Sequence, residues 1–241
     1  MKVDLPVPAV ALAVAAHPDD VEFNAGATLA KWADAGCVVH HLICTDGSKG
    51  TWDVHADTVA LVARRENEQR AAAHRLGARG EVRFLRQVDG ELGTDLALRS
   101  EVARIIRELR PAVVLGHDPW RRWRLHPDHR AAGFLTLDAV VAARDPHFFR
   151  DHGTEHHRPD AVLLFETEEP DLVEWVDETH VEAKIEALLA HESQFETTMV
   201  IDADDDGTQR AAFAAKIRRE CVDDGRRAGV PLGEPFKLVE P

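Results

Sequence analysis

A run of seven apolar residues, Val10 to Ala16, constrains the fold more than any other segment of the chain. It has no polar residue on either face, and it is far shorter than the roughly 18 apolar residues of a membrane-spanning helix. Such a run is typical of a strand that is buried on both faces of a sheet. Similar short, mostly apolar runs (Val38 to Cys44, Ala112 to Leu115 and Ala161 to Phe165) alternate with segments of helical periodicity. We therefore predict an α/β fold with a mostly parallel central sheet and helices on both faces.

The segments between these strands carry the signals of helices. Gly36 and Gly77 each follow a helical segment, as expected at helix ends. No internal repeat, low-complexity linker or shift in composition divides the chain, so residues 1–241 are predicted to form a single domain with a core at about 9–200. The remainder, 201–241, is predicted to add a C-terminal helix and an edge strand at Phe236 to Val239. The predicted helices are 25–35, 58–76, 96–109, 130–143, 181–190 and 209–227, and Val82 to Leu85 is a further strand.

Charge and cysteine content narrow the range of partners and compartments. The formal net charge of −14 argues against nucleic acid, because binding to phosphates needs a basic surface. No apolar run is long enough to cross a membrane, and the first residues lead directly into a predicted core strand, so no signal peptide is expected. The 3 cysteines lack disulfide or metal-ligand spacing, and we expect free thiols in the cytoplasm. A small, polar molecule is the expected partner, and the oligomeric state is left open.

Two short runs concentrate the side chains that bind divalent metals: Ala16-His17-Pro18-Asp19-Asp20 and His126-Pro127-Asp128-His129. His17 and Asp20 are i and i+3 on the turn that leaves the first strand, so both can face one ion. A zinc-type site needs about three His, Asp or Glu ligands and an open position for water. The third ligand is expected to be His129 or, less favoured, His126. Ligands bind beyond the carboxyl ends of parallel strands, so the pattern predicts a mononuclear centre for metal-assisted hydrolysis at that edge.

Five blocks along the chain resemble, in order and in spacing, the LmbE-like (PIG-L) N-deacetylase family. The first metal-binding run is followed by Glu22-Phe23 and by Gly26-Ala27-Thr28-Leu29-Ala30, as at the opening of that family. The most specific block is His126-Pro127-Asp128-His129-Arg130-Ala131-Ala132-Gly133. The remaining blocks are Thr45-Asp46-Gly47-Ser48-Lys49-Gly50-Thr51, then Arg65 and Glu68 with Ala71-Ala72 and Leu76-Gly77, then Asp89-Gly90-Glu91-Leu92.

The resemblance implies a Rossmann-like α/β fold with one divalent metal, usually zinc. It also implies hydrolysis of an N-acyl group, most often acetyl, from an amino-sugar-containing small molecule. On this basis His17, Asp20 and His129 are the metal ligands, and Asp19 is the general base that deprotonates the metal-bound water. His126 is implied as the imidazole near the scissile amide, where a protonated ring would stabilise the oxyanion or donate a proton. Ligand types do not decide between Zn²⁺ and Fe²⁺ or another divalent ion.

Two further residues of these blocks are expected to position the substrate. Arg65 and Asp89 supply a guanidinium fork and a carboxylate, both of which suit the hydroxyl groups of a sugar ring. The alternative for Arg65 is a solvated helix face. His191 belongs to a further block, His191-Glu192-Ser193-Gln194, which is expected to pack behind the site.

The chain departs from the family in ways that keep several alternatives open. It contains no Tyr, whereas some relatives place a Tyr on the loop before the last block to contact the reacting carbonyl. Trp123 or Arg124 would take over that contact, or His126 would act alone. The alternative functions are a broader amidase acting on a thiol–sugar conjugate and a metal-dependent phosphoesterase, which usually needs two ions about 4 Å apart. A nucleotide-binding module is less favoured, because no Gly-rich phosphate turn follows the first strand.

Overall fold

The computed structural model describes all 241 residues and contains one sheet that runs through the whole chain. No helix is both long enough and apolar enough to span a membrane. Short 3₁₀ turns at Arg150–His152 and Glu192–Gln194 and a π-helical turn at Phe195–Met199 complete the structure. The strands are β1 (Lys2–Val3), β2 (Val10–Ala15), β3 (Val38–Thr45), β4 (Val82–Gln87), β5 (Val113–His117), β6 (Ala161–Phe165), β7 (Leu172–Trp175) and β8 (Gly233–Val239). The α-helices are α1 (Asp20–Asp34), α2 (Thr58–Arg75), α3 (Leu96–Leu109), α4 (Pro127–Arg144), α5 (Glu178–Leu188) and α6 (Thr208–Arg226).

The sheet is mostly parallel and has the strand order β1-β7-β8-β6-β5-β2-β3-β4. From the central strand β2, the chain first moves outward to β3 and β4, and then returns to β5 on the other side of β2. The parallel pairs β2–β3 and β2–β5 therefore diverge from one strand, which creates a crevice at their carboxyl ends. In open α/β sheets such a switch point is where ligands bind. The predicted parallel α/β architecture is confirmed.

Both faces of β2 are buried, as its uninterrupted apolar pattern predicts. Ala11, Ala13 and Ala15 belong to a core layer shared with α1, whose Leu29 and Trp32 are fully buried. The alternate positions 12, 14 and 16 belong to a second layer shared with α3 and α4. Because successive side chains of a strand point to opposite faces, one short run supports two hydrophobic layers. β2 is thereby fixed as the centre of the fold, and the turn after it is held from both sides.

The prediction of an edge strand at Phe236 to Val239 is wrong. β8 lies inside the sheet, antiparallel to both β7 and β6, and the edges are β1 and β4. Its charged and Pro-containing sequence is typical of an edge strand. The charge is satisfied internally instead: the carboxylate of Glu234 accepts hydrogen bonds from the backbone N–H groups of Ala27 and Thr28 in α1 and from Lys184 Nζ at 2.6 Å. The short strands β1 and β7 were not predicted, because neither has a long apolar run.

The Lys184–Glu234 pair gives a prediction for stability. Both side chains are buried, so removing one partner leaves the other charge without compensation. We expect Lys184→Met to lower the free energy of unfolding by about 3–5 kcal/mol, measured by urea denaturation. Arg226→Ala, which removes an exposed pair with Asp223, is the matched control and should cost less than about 1 kcal/mol. Equal losses in the two variants would contradict the assignment of Lys184 as a buried partner.

Candidate active site

A cavity of about 820 Å³ opens at the carboxyl ends of β2 and β5, where the switch point predicts a ligand site. Of its 22 lining residues only 2, Phe23 and Trp52, are hydrophobic. All seven predicted site residues line it, although they come from segments more than 100 positions apart in the chain. These residues are His17, Asp19, Asp20, Arg65, Asp89, His126 and His129.

The structure brings the three predicted metal ligands together around the Asp20 carboxylate. Nδ1 of His17 lies 3.3 Å from Asp20 Oδ2, and Nε2 of His129 lies 3.4 Å from Asp20 Oδ1. Donors bound at about 2.0–2.1 Å to a tetrahedral ion lie roughly 3.4 Å apart. Asp20 is the first residue of α1, and the backbone N–H of His17 donates to its Oδ2 at 2.8 Å, which fixes the carboxylate at the end of β2.

Each of the two imidazoles presents its other ring nitrogen to a further carboxylate. His17 Nε2 lies 3.2 Å from Asp128 Oδ2, and His129 Nδ1 lies 3.1 Å from Glu166 Oε2, beside Arg124 Nε, which donates to the same Nδ1 at 3.0 Å. A histidine that ligates a metal usually donates its second N–H to a carboxylate, which leaves the first nitrogen unprotonated. Asp128 is itself held by the backbone N–H groups of Gly90 and Leu92. The donor set, two imidazoles and one carboxylate with outer carboxylates behind, therefore fits a divalent ion.

Donor atoms within 4.8 Å of one another form three groups in this region. The predicted trio is not one of them. Its members are joined in pairs instead, since His17 approaches one oxygen of Asp20 and His129 approaches the other. The groups are His17 with His126 and His129; His17 with Asp89, His126 and Asp128; and Asp20 with His117 and His129.

Asp19 has an unusual backbone that turns its carboxylate into the cavity. Its φ of 99° lies in the left-handed region, which costs a residue other than Gly roughly 1–2 kcal/mol. The side chain does not cap α1, although Asp19 occupies the N-cap position. Burial raises the pKa of Asp19 to about 6, and the nearby Arg65 guanidinium opposes that rise. Asp20 differs: burial acts to raise its pKa, but His129, His117 and His17 hold it well below its usual range. The pKa of Asp19 therefore lies above the usual value for an aspartate, and the pKa of the adjacent Asp20 lies below it.

His126 caps α4 and faces the ring of His17. The ring centroids lie 4.5 Å apart in an edge-to-face arrangement, and His126 Nδ1 accepts from the backbone N–H of Asp128. Burial lowers the pKa of His126, and the neighbouring His17 and His129 lower it further. This environment favours a neutral imidazole, whereas both expected roles of His126, stabilising the oxyanion and donating a proton, assume a protonated ring.

Arg65 is buried and faces the site. The solvated helix face is therefore wrong for this residue, whose exposed fraction is 3%. Its guanidinium donates to the carbonyl of Gly47 at 2.9 Å and to that of Pro18 at 2.8 Å, and it lies 3.5 Å from Asp19 Oδ2. These contacts join the two loops that end β2 and β3. Asp89 places Oδ1 3.3 Å from His17 Nε2 and accepts from the backbone N–H of Lys49 through Oδ2.

Sequence reasoning missed two residues of the site, His117 and Glu166. His117 ends β5 and is fully buried; its Nε2 accepts from the backbone N–H of Ala16, and its Nδ1 donates to Glu166 Oε2 at 2.9 Å. Burial acts to raise the pKa of Glu166, but hydrogen bonds from His117 and His129 lower it to about 2. The signal that could have found both is their position directly at or after a buried strand, β5 or β6.

Of the candidate side chains on the loop before α4, Arg124 reaches the cavity and the two tryptophans do not. Arg124 lines it, and its guanidinium lies 2.9 Å from Glu166 Oε1, whereas Trp123 is 88% exposed and does not line it. Trp120 packs edge-to-face on Phe134 instead of forming a wall of the cavity. His191 packs behind the site, fully buried, as expected.

Comparisons with known proteins agree with this geometry. Residues 12–140 match the PIG-L family, described as GlcNAc-PI de-N-acetylase. Diacetylchitobiose deacetylase of Thermococcus kodakarensis is 39% identical over 188 residues, which cover 76% of this chain and 69% of that protein. A 1D-myo-inositol 2-acetamido-2-deoxy-alpha-D-glucopyranoside deacetylase of Geodermatophilus obscurus is 37% identical over 59% of this chain and 56% of its own length. The solved N,N'-diacetylchitobiose deacetylase of Pyrococcus horikoshii superposes with a TM-score of 0.84 at 28% identity, over 97% of this chain and 84% of that one.

The fold and the site define a class of protein: a single-domain α/β enzyme with a His/Asp centre at the switch point of a mostly parallel sheet. Within that class, the chain belongs to the PIG-L (LmbE-like) family. The predictions of the family and of the fold class are thereby confirmed. The roles of the individual site residues stay predictions.

The buried guanidinium of Arg65 gives a second prediction. Lysine carries its three N–H donors on one nitrogen, whereas Arg65 donates to Gly47 and to Pro18 from two separate nitrogens, so we expect Arg65→Lys to lose at least one of these bonds. We expect a loss of about 1–3 kcal/mol in the free energy of unfolding, because at least one buried carbonyl loses its donor. The neighbouring Arg64→Lys, on an exposed side chain, is the control and should change stability by less than about 0.5 kcal/mol. A loss no larger than that of the control would show that the fork is not needed.

Proposed function

We propose that this protein hydrolyses the N-acetyl group of a small amino-sugar conjugate at a mononuclear divalent metal site. The observation that carries the proposal is the pair of contacts made by Asp20 with His17 and His129, each imidazole backed by an outer carboxylate. The relatives agree: named deacetylases of amino sugars match most of the chain in sequence and nearly all of it in structure. The protein is accordingly an enzyme of the amide hydrolase class.

His17, Asp20 and His129 would hold the ion, and zinc suits their mixed nitrogen and oxygen donors. Fe²⁺ also accepts this donor set. When bound, the ion supplies Lewis-acid chemistry, which acidifies a water and polarises the amide carbonyl. Asp128 and Glu166 would keep the two imidazoles in the orientation and tautomer that a ligand needs.

Asp19 is proposed as the general base. Its carboxylate lines the cavity beside Asp20 and makes no capping hydrogen bond to α1, although Asp19 is the N-cap residue. It takes a proton from the water as the water oxygen bonds to the amide carbon. The same carboxyl then gives that proton to the amide nitrogen as the C–N bond breaks, which releases acetate and the free amine. A carboxyl whose pKa lies near 6 is suited to both transfers.

His126 is proposed to contact the reacting carbonyl from the rim of the cavity. Its neutral imidazole would donate one N–H to the developing oxyanion. Arg65 contacts Asp19 and the loop at Gly47, and we propose that it positions both for the reaction. Asp89, which also lines the cavity, remains proposed to accept hydrogen bonds from a sugar hydroxyl.

The substrate is proposed to be an amino sugar carried on a larger polar group. A cavity of about 820 Å³ exceeds the space needed for one sugar ring, and its walls are almost entirely polar. The relatives named for diacetylchitobiose and for an inositol conjugate both act on such molecules. A thiol–sugar conjugate also fits this description. The phosphoesterase alternative is less favoured, because the named relatives are deacetylases of amino sugars.

We propose a cytoplasmic setting with no nucleic-acid partner. All three cysteines, Cys37, Cys44 and Cys221, are buried and free, which suits a reducing compartment. The net charge of −14 disfavours contact with phosphate backbones.

The proposed base gives a third prediction. In zinc-loaded protein, Asp19→Asn should lower kcat for N,N'-diacetylchitobiose about 10²- to 10⁴-fold, because the isosteric amide cannot take a proton. The release of free amine measures the rate, and metal analysis should still find one ion per chain. Asp34→Asn, an exposed position on the same helix, is the control. The base assignment would be overturned by an Asp19→Asn enzyme with kcat within threefold of the wild type.

The outer carboxylate gives a fourth prediction. Glu166→Gln should weaken Zn²⁺ binding about 10- to 100-fold in competition with a chelator, because His129 loses the charge that orients it. Glu168→Gln, two residues further on and paired with exposed Arg122, should leave the affinity unchanged. If Glu166→Gln binds Zn²⁺ as tightly as the wild type, Glu166 does not support a metal ligand.

A further inference from the structure

The strained peptide of Asp19 is held by a side chain outside the metal centre. The backbone N–H of Asp19 donates to Oε1 of Gln69 at 3.0 Å, a contact that joins the turn after β2 to the middle of α2. Gln69 is fully buried and lies 50 positions away in the sequence. Because Asp19 is the N-cap residue of α1, its backbone N–H has no acceptor within that helix. Gln69 supplies the acceptor that this buried N–H requires.

The amide of Gln69 is itself oriented by a second buried group. Its Nε2 donates to Glu22 Oε1 at 2.7 Å, and it lies 3.3 Å from His41 Nδ1. An amide has one acceptor end and one donor end. Since Glu22 offers only acceptors, it forces the nitrogen of Gln69 toward itself and the oxygen toward Asp19.

Glu22 faces a second buried imidazole on its far side. His191 Nε2 lies 3.4 Å from Glu22 Oε2, and both residues are fully buried. His191 follows α5, His41 belongs to β3 and Glu22 belongs to α1, so three separate elements converge on Gln69. None of these four side chains lines the cavity. Within this cluster the amide of Gln69 is paired at both ends, whereas Glu22 Oε2, His41 Nε2 and both ring nitrogens of His191 have no hydrogen-bond partner.

We propose that Gln69 is a positioning residue for deacetylation, which fixes the Asp19 carboxylate by holding the Asp19 peptide in its left-handed conformation. The proposal rests on the proposed function, in which Asp19 moves the proton. Rotation of the Asp19 peptide would swing its side chain away from the position proposed for the attacking water, and a displacement of about 1 Å can cost 10²-fold in rate. Glu22, with His191 behind it, acts one step further out by fixing which end of the Gln69 amide faces Asp19.

The test compares Gln69→Met with Asn67→Met in zinc-loaded protein. Both variants replace an amide by a thioether on α2, but Asn67 is exposed and Gln69 is buried. We expect Gln69→Met to lower kcat for N,N'-diacetylchitobiose 10- to 100-fold, with KM and the zinc content within threefold of the wild type. Asn67→Met should match the wild type. Gln69→Asn, whose side chain is one methylene shorter, replaces Gln69→Met in the same test if Gln69→Met does not fold.

A double variant distinguishes positioning from general damage. If Gln69 acts only through Asp19, adding Gln69→Met to Asp19→Asn should lower kcat by less than threefold further. A loss in that background as large as in the wild type would overturn the proposal, as would a Gln69→Met kcat within threefold of the wild type.

Hydrogen exchange separates the failure of this proposal from the failure of the proposed function. The Asp19 amide should exchange at least tenfold faster in Gln69→Met than in Asn67→Met, whether or not the protein is a deacetylase. Faster exchange without deacetylase activity in the wild type would refute the function and retain the contact. Unchanged exchange would refute the contact, and the proposal with it.

Discussion

The carboxylate of Asp20 is the group on which the rest of the site depends. It accepts the backbone N–H of His17 at the end of β2, and it faces His117 from β5 and His129 from α4. The connection after β2 leads to β3 on one side of the sheet, and the connection after β5 leads to β6 on the other side. Asp20 therefore lies where the two halves of the sheet meet. Burying a lone carboxylate would be costly, and the surrounding imidazoles offset that cost. A cation between them would offset it further, which explains why a buried, acidic corner is stable in this fold.

Helix α2 controls the site although it supplies none of the proposed metal ligands. Arg65, Glu68 and Gln69 are i, i+3 and i+4, so they share one helical face. Arg65 binds the carbonyls of Pro18 and Gly47, Glu68 accepts from the backbone and hydroxyl of Ser193, and Gln69 accepts from Asp19. One rigid element thus fixes three loops that would otherwise move independently. Arg65 and Glu68, two residues of the family resemblance, thereby have a structural role at the site.

Much of the fold and of the centre could be predicted because the signals are local. Val10 to Ala16 is apolar on both faces, and that pattern alone specifies a buried parallel strand. His17 and Asp20 are close in sequence, so their joint orientation follows from the turn. β8 could not be placed, because the charge of Glu234 resembles that of a solvent-exposed edge until Lys184 is brought beside it. Glu166 and Gln69 were missed for the same reason, since each gains its role from a partner distant in the sequence.

The chemistry and the specificity of this protein have different structural origins. His17, Asp20 and His129 lie at a strand end and in the first turns of two helices, where the core fixes them. Another part of the cavity wall comes from residues outside these elements, including Trp52, Thr198 and Lys216. Loops can change without disturbing a core, so one centre can serve many substrates. The deacetylases named for chitobiose and for an inositol conjugate illustrate this within one family. The side chains that decide which amino sugar this chain accepts should therefore be sought on that wall, with Trp52 as its one large apolar surface.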